Sequence, residues 1–296
     1  WEIHRANLTE GKPCPLCGMI FLMLLVPYCK LSFDDMRITR LHVILLGIQI
    51  LGSLALFGII ALFDPLLAQG TFICVMAPTA TSAAVITGML GGNIAVLATY
   101  TLLSNLTVAT LSPLVFSLIG SQTALPFFES FGIVCRQMIP LLILPFVIAV
   151  LLKRFAPRIH RQLRERQQIS FYLWAVALTI VMGNTVAFLM KQDASNYVNE
   201  IWMALLALAV CCAQFLAGRR IGRRYRNKIA GAQGLGQKNT ILAIWMAQTY
   251  LTPIASVGPA AYVIWQNLIN SYQLWAKRHR EQVLPKKEPV KTPIGL

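Results

Sequence analysis

A chain of 296 residues that is 56% hydrophobic and only 12% charged, with a mean hydropathy of +0.63, is too apolar for an ordinary water-soluble domain. Its formal net charge of +15 would suit nucleic acid, but the placement of that charge follows membrane topology, so no nucleic-acid partner is expected. No Ser/His/Asp or paired-carboxylate arrangement falls within the apolar segments, and His4, His42, His160 and His279 lie at their edges or outside them, which argues against an enzyme.

Residues 1–16 are polar, and no apolar stretch follows their charges, so they do not read as a signal peptide. Cys14 and Cys17 form a lone C-x-x-C without a second pair or a histidine at ligand spacing, which is weak support for zinc or redox work. Nine mostly apolar segments are then predicted to span a bilayer as helices, at 17–34, 41–64, 68–90, 93–119, 127–152, 169–190, 199–218, 231–251 and 253–276. Short polar connections join them, giving one integral membrane domain over 17–277 and a polar tail over 278–296. Assigning the connections alternately to the two sides places 21 of the 26 Lys and Arg on one side: Lys30, Arg37, Arg40, the loops at 153–166 and 219–228, and the tail from Lys277. The other side receives Arg5, Lys12 and Lys191. This positive-inside bias puts the C-terminus in the cytoplasm. It accounts for the basic clusters at 161–166 and 218–224 without any grip on nucleic acid or lipid headgroups.

The third segment is interrupted. Pro78 removes a backbone donor and crowds the preceding turn, while Thr79, Thr81 and Ser82 bring hydroxyls for the freed groups. The eighth is interrupted by Gly231, Gly234 and Gly236, directly before Lys238. An ammonium at membrane depth costs at least about 2.5 kcal/mol and marks a functional site. Alone, Pro78 also reads as an ordinary kink and 231–236 as an ordinary loop. Together the breaks occupy corresponding positions, each followed by a long span, which is the pattern of an inverted repeat with a site between two discontinuous crossing helices. The expected fold is therefore an all-α polytopic membrane protein. Its second half has five expected spans and its first only four, so a further span before residue 17 is expected, as the counterpart of 127–152. The eleven Asp and Glu (Asp64, Glu129, Asp193 and Glu200 among them) all lie at termini, loops or span edges.

At both breaks the sequence resembles the bile acid:sodium symporter family. Residues 77–87, Ala-Pro-Thr-Ala-Thr-Ser-Ala-Ala-Val-Ile-Thr, are similar to the family's Cys-Pro-Gly-Gly-Thr-x-Ser-Asn-Val-Ile-Thr, followed by Gly92, Asn93 and Thr101. Residues 234–243, Gly-Leu-Gly-Gln-Lys-Asn-Thr-Ile-Leu-Ala, are similar to Glu-Val-Gly-Met-Gln-Asn-Ser-Gly-Leu-Ala. Trp265, Gln266 and Asn267 stand where the family often has Trp-His-Asn. The resemblance covers about residues 20–277 and implies ten spans. It also implies a panel (about 17–36 and 127–191) against which a core (about 41–120 and 199–277) rocks. The departures fall on the family's sodium ligands. Its glutamate position is Gly234, its glutamine Lys238, its Ser-Asn pair Ala83 and Ala84, and a serine of the next span Leu97, whereas Thr101 and Gln49 remain.

These residues lead to a secondary transporter of small organic anions in a bacterial inner membrane. Lys238 would take the place of sodium, with Thr101 and Gln49 beside it. Substrate would touch Thr81, Ser82, Asn239, Thr240 and Asn267. The ammonium would join the crossing through carbonyls and the hydroxyls of Thr81, Thr101 and Thr240. No metal or cofactor is expected; the expected partners are the lipid bilayer and an organic anion. Lys238 fits both a permanent cation and a titrating one, so proton coupling stays open, as do oligomeric state and substrate identity. The alternative reading is a non-transporting sensor or scaffold on a degenerate transporter fold. A cation/proton antiporter comes third, because it needs membrane carboxylates.

Overall fold

A computed structural model describes residues 15–29, 37–80, 82–119, 127–165 and 197–283, with scattered positions between 172 and 190. In chain order the helices are α1 (Pro15–Tyr28), α2 (Arg40–Ala61), α3 (Pro65–Met76), α4 (Ala83–Met89), α5 (Ile94–Ile119), α6 (Phe127–Phe155), α7 (Pro157–Glu165), α8 (Tyr197–Arg224), α9 (Lys228–Gly236), α10 (Thr240–Tyr250) and α11 (Val257–Val283), the last preceded by a 3-10 turn at Pro253–Ser256. Among the described residues no strand occurs, only an isolated antiparallel bridge between Thr79 and Lys238.

Local chemistry sets the boundaries. Asp64 caps α3 by accepting from the N–H groups of Leu66 (2.7 Å) and Leu67 (3.1 Å), and Pro65 occupies the first turn, where its missing N–H costs nothing. Two residues before Pro78, α3 stops. At the start of α2, the Thr39 N–H donates to His42 Nδ1 at 2.9 Å, which leaves Nε2–H to donate to the Val96 carbonyl at 2.9 Å. This edge histidine is buried and ties α2 to α5. The turn after α4 closes on Gly91 at φ +80°, a left-handed conformation that favours glycine.

Apolar side chains fill the core and also cover the outside, while several polar ones are buried. Leu51, Ile59, Leu118, Ile201 and Leu216 face outward, while Gln49, Ser53, Gln214, Gln233 and Gln266 are buried. By length and hydropathy α2, α5 and α8 are each able to cross a bilayer. The expected spans 68–90 and 231–251 are each two half-helices, α3 with α4 and α9 with α10. The segment 157–165, expected as loop, is the helix α7, with no buried residue and an exposed Arg161–Glu165 pair at 3.0 Å. Most of the expected span 169–190 lies outside the described residues.

One close packing went unread in the sequence. Gly218 and Gly222, a G-x-x-x-G pair on α8, face Gly231 on α9. A Cβ on Gly218 would overlap the Gly231 carbonyl oxygen, and one on Gly231 would overlap that of Gly218. Small residues at this spacing let two helix backbones touch, and here they press the half-helix α9 against α8.

Candidate functional site

The two interruptions meet. The Ala80 N–H donates to the Gln237 carbonyl at 2.9 Å, and the Asn239 N–H donates to the Pro78 carbonyl at 2.8 Å. Two extended strips thus pair for a few residues where α3 and α9 end and α4 and α10 begin. A broken helix leaves its last carbonyls without intrahelical donors, and in a dry interior each needs another.

At the end of α3, the Lys238 ammonium donates to the Val75 carbonyl at 2.8 Å. Gln49 Nε2 donates to the carbonyls of Met76 and Ala77, both at 3.0 Å, and Gln214 Nε2 donates to that of Cys74 at 3.3 Å. At the end of α9, the Thr79 hydroxyl donates to the Gly234 carbonyl at 2.7 Å and the Tyr262 hydroxyl to that of Gly236 at 2.9 Å. Lys238 is 1% exposed. Two helix C-termini converge beside it, each equivalent to roughly half a negative charge. Lys238 is the cationic side chain that meets these ends, through the Val75 carbonyl.

Gln49 is fully engaged. Its Oε1 accepts from the Tyr100 hydroxyl at 2.8 Å and from Ser104 Oγ at 2.9 Å, and Ser104 Oγ in turn accepts the Thr79 N–H at 3.2 Å. A hard cation needs several oxygen ligands with free lone pairs. At this crossing Gln49 Oε1 and Ser104 Oγ already accept from O–H or N–H donors, whereas Thr101 Oγ1, Asn105 Oδ1, Gln214 Oε1 and Gln233 Oε1 have no partner, and none of these oxygens belongs to a carboxylate.

The expected site residues are placed unevenly. Lys238, Asn239, Thr240, Thr101 and Gln49 are buried at the crossing. The Asn239 side chain caps α10 by accepting from the Leu242 N–H at 3.3 Å, and the Thr240 N–H donates to the Lys238 carbonyl at 3.0 Å. Ser82 is exposed and within 3.5 Å of Gln237 Nε2. Thr81 lies outside the described residues. The Thr101 hydroxyl has no partner, so of the expected carbonyl and hydroxyl partners of the ammonium the described residues show the Val75 carbonyl and not Thr101. Asn267 is exposed; its neighbour Gln266 faces inward.

Gln266 holds the Lys238 peptide from both sides, accepting from its N–H at 2.9 Å and donating to its carbonyl at 3.3 Å. One turn to either side on α11, Tyr262 reaches Gly236, and Asn270 donates to Gln237 and accepts from Gln233 Nε2 at 2.9 Å. Tyr262, Gln266 and Asn270 went unread as site residues, although their i, i+4, i+8 spacing was a signal of one polar stripe within an apolar helix.

Crossed half-helices with buried polar atoms inside an apolar outer surface define a helical membrane transporter. The chain belongs to the SBF-like CPA transporter family, whose sequence model matches residues 21–269. It is also 24% identical over 226 residues to the "Uncharacterized sodium-dependent transporter YocS" of Bacillus subtilis (strain 168), covering 73% of this chain and 66% of that one, just under two thirds.

Proposed function

We propose that this protein is a secondary transporter of small organic anions that works by alternating access, with the Lys238 ammonium standing where a coupling sodium would sit. The observation that carries the reading is the buried 2.8 Å bond from Lys238 Nζ to Val75, made where two helix C-termini supply the compensating negative potential. Substrate would enter at the positive N-terminal end of α10, near Asn239 and Thr240, with Ser82, Thr81 and Asn267 along its approach. The antiparallel pairing of the two broken segments supports an inverted repeat, in which α3–α4 and α9–α10 move as one core. The site is set in a bacterial inner membrane, with the basic connections and the C-terminus on the cytoplasmic side.

Uptake of labelled small carboxylates into proteoliposomes tests this. Transport is expected to proceed in choline medium as well as in sodium medium, and strict sodium dependence overturns the reading. Acceleration by an imposed proton gradient would assign Lys238 a titrating role; indifference to it would assign a permanent charge.

A further inference from the structure

We infer that Tyr100 is the residue that closes this crossing to an inorganic coupling cation, a specificity-determining role that rests on the reading of Lys238 as the resident charge.

Tyr100 acts in two ways at once. Its ring stands against Gly234, where a Cβ would lie 2.9 Å from ring Cδ1 and 3.1 Å from Cε1. The ring has nowhere to retreat: it is 1% exposed, in one cluster with Leu41, Leu45 and Leu235, and its hydroxyl is bound to Gln49. A side chain at position 234, a carboxylate included, would force the enclosed ring or the α9 backbone to shift. The Gly234 carbonyl accepts from the Thr79 hydroxyl, which places position 234 beside the crossing.

The hydroxyl closes the second route. Together with Ser104 it occupies Gln49 Oε1, and the amide nitrogen of Gln49 already serves Met76 and Ala77. Among the described residues, the buried side-chain oxygens of the crossing without a partner are Thr101 Oγ1 and Asn105 Oδ1 on α5, Gln214 Oε1 on α8 and Gln233 Oε1 on α9. All four are neutral hydroxyl or amide oxygens spread over three helices, with no carboxylate among them to offset the charge of a hard cation. Tyr100, Gly234, Gln49 and Lys238 therefore form one unit, and changing Lys238 by itself does not convert the site.

The test uses the full chain purified in detergent and sodium itself as probe, with Tm followed in sodium chloride against choline chloride at equal ionic strength. The triple variant Y100S/G234E/K238Q is expected to gain a saturable, sodium-specific rise in Tm, while G234E/K238Q with the tyrosine retained is expected to show none. An equal rise in G234E/K238Q overturns the role of Tyr100, as does a cooperatively unfolding triple variant without any rise. A sodium-specific rise in the unaltered protein overturns the underlying reading of Lys238 itself, a different outcome. Should the triple variant not fold, the cycle of G234A, Y100S and Y100S/G234A tests the steric half. G234A should lower Tm markedly with Tyr100 present and little without it; additive effects overturn the proposal.

Discussion

Lys238 and Val75, 163 residues apart in the chain, are joined by an ammonium-to-carbonyl hydrogen bond of 2.8 Å. The bond ties the second break in the chain to the C-terminal end of the half-helix before the first. It turns two local interruptions into one structure, since each supplies what the other lacks: exposed carbonyls on α3 and a cation between α9 and α10.

Lys238→Met should abolish transport and lower stability by about 1–3 kcal/mol, the cost of a buried carbonyl left without a donor. Lys238→Gln keeps a donor and removes the charge, so it should recover much of the stability and little of the transport. Uptake and thermal melts on the same preparations separate the two terms; wild-type uptake by the methionine variant would reduce Lys238 to packing.

Gln49→Leu should be more damaging than Lys238→Met. It strands two carbonyls, Met76 and Ala77, and two hydroxyls, Tyr100 and Ser104, each at a cost of about 1–3 kcal/mol where no water can substitute. Ser53→Ala is the control on the same helix, because the Ser53 hydroxyl bonds the Ile50 carbonyl of its own turn at 2.7 Å and reaches α3 only through a weak 3.6 Å contact with Met76 Sδ. A melt in which the two variants lose equally would contradict the clamp assigned to Gln49.

Gly231→Ala should prevent α9 from seating on α8 and give little folded protein by size-exclusion chromatography, with Gly218→Ala behaving alike. Gly47→Ala on α2, where a Cβ meets nothing within 4 Å, should be neutral or slightly stabilising, since alanine is favoured over glycine in a helix by about 1 kcal/mol.

Gln266→Ala removes both bonds that hold the Lys238 peptide and should lower Tm and uptake together. Asn267→Ala should leave Tm unchanged, so that any effect it has appears in the KM for uptake. A drop in Tm for Asn267→Ala equal to that of Gln266→Ala would show that the inward face of α11 has been assigned to the wrong residue.

Much of the frame is legible in residues taken alone. Pro78 ends α3 because proline cannot continue the ladder, and Asp64 followed by Pro65 starts it, for reasons confined to one turn of chain. The partners at the crossing are of another kind. Resemblance placed Gln49 at the site, but its partners, the last carbonyls of α3 and the Tyr100 and Ser104 hydroxyls of α5, come from segments distant in the chain. Gly218 and Gly222 were legible as part of a basic cluster, yet their work is done by the absence of side chains, which only the neighbouring backbone of α9 reveals.

The sequence by itself determined where the apolar segments lie, how the basic residues are distributed among their connections, that two of the helices are broken, and that one break carries a lysine. These follow from the bilayer as solvent, which constrains every residue through its own hydropathy, charge and backbone donors. Only the tertiary structure decided which carbonyl Lys238 holds, that Gln266 and not Asn267 turns toward it, and that the Tyr100 ring fills the space beside Gly234. Neighbouring residues on a helix point about 100° apart, and contacts between distant segments depend on how helices seat against one another. Neither property is carried by the order of residues along a single segment.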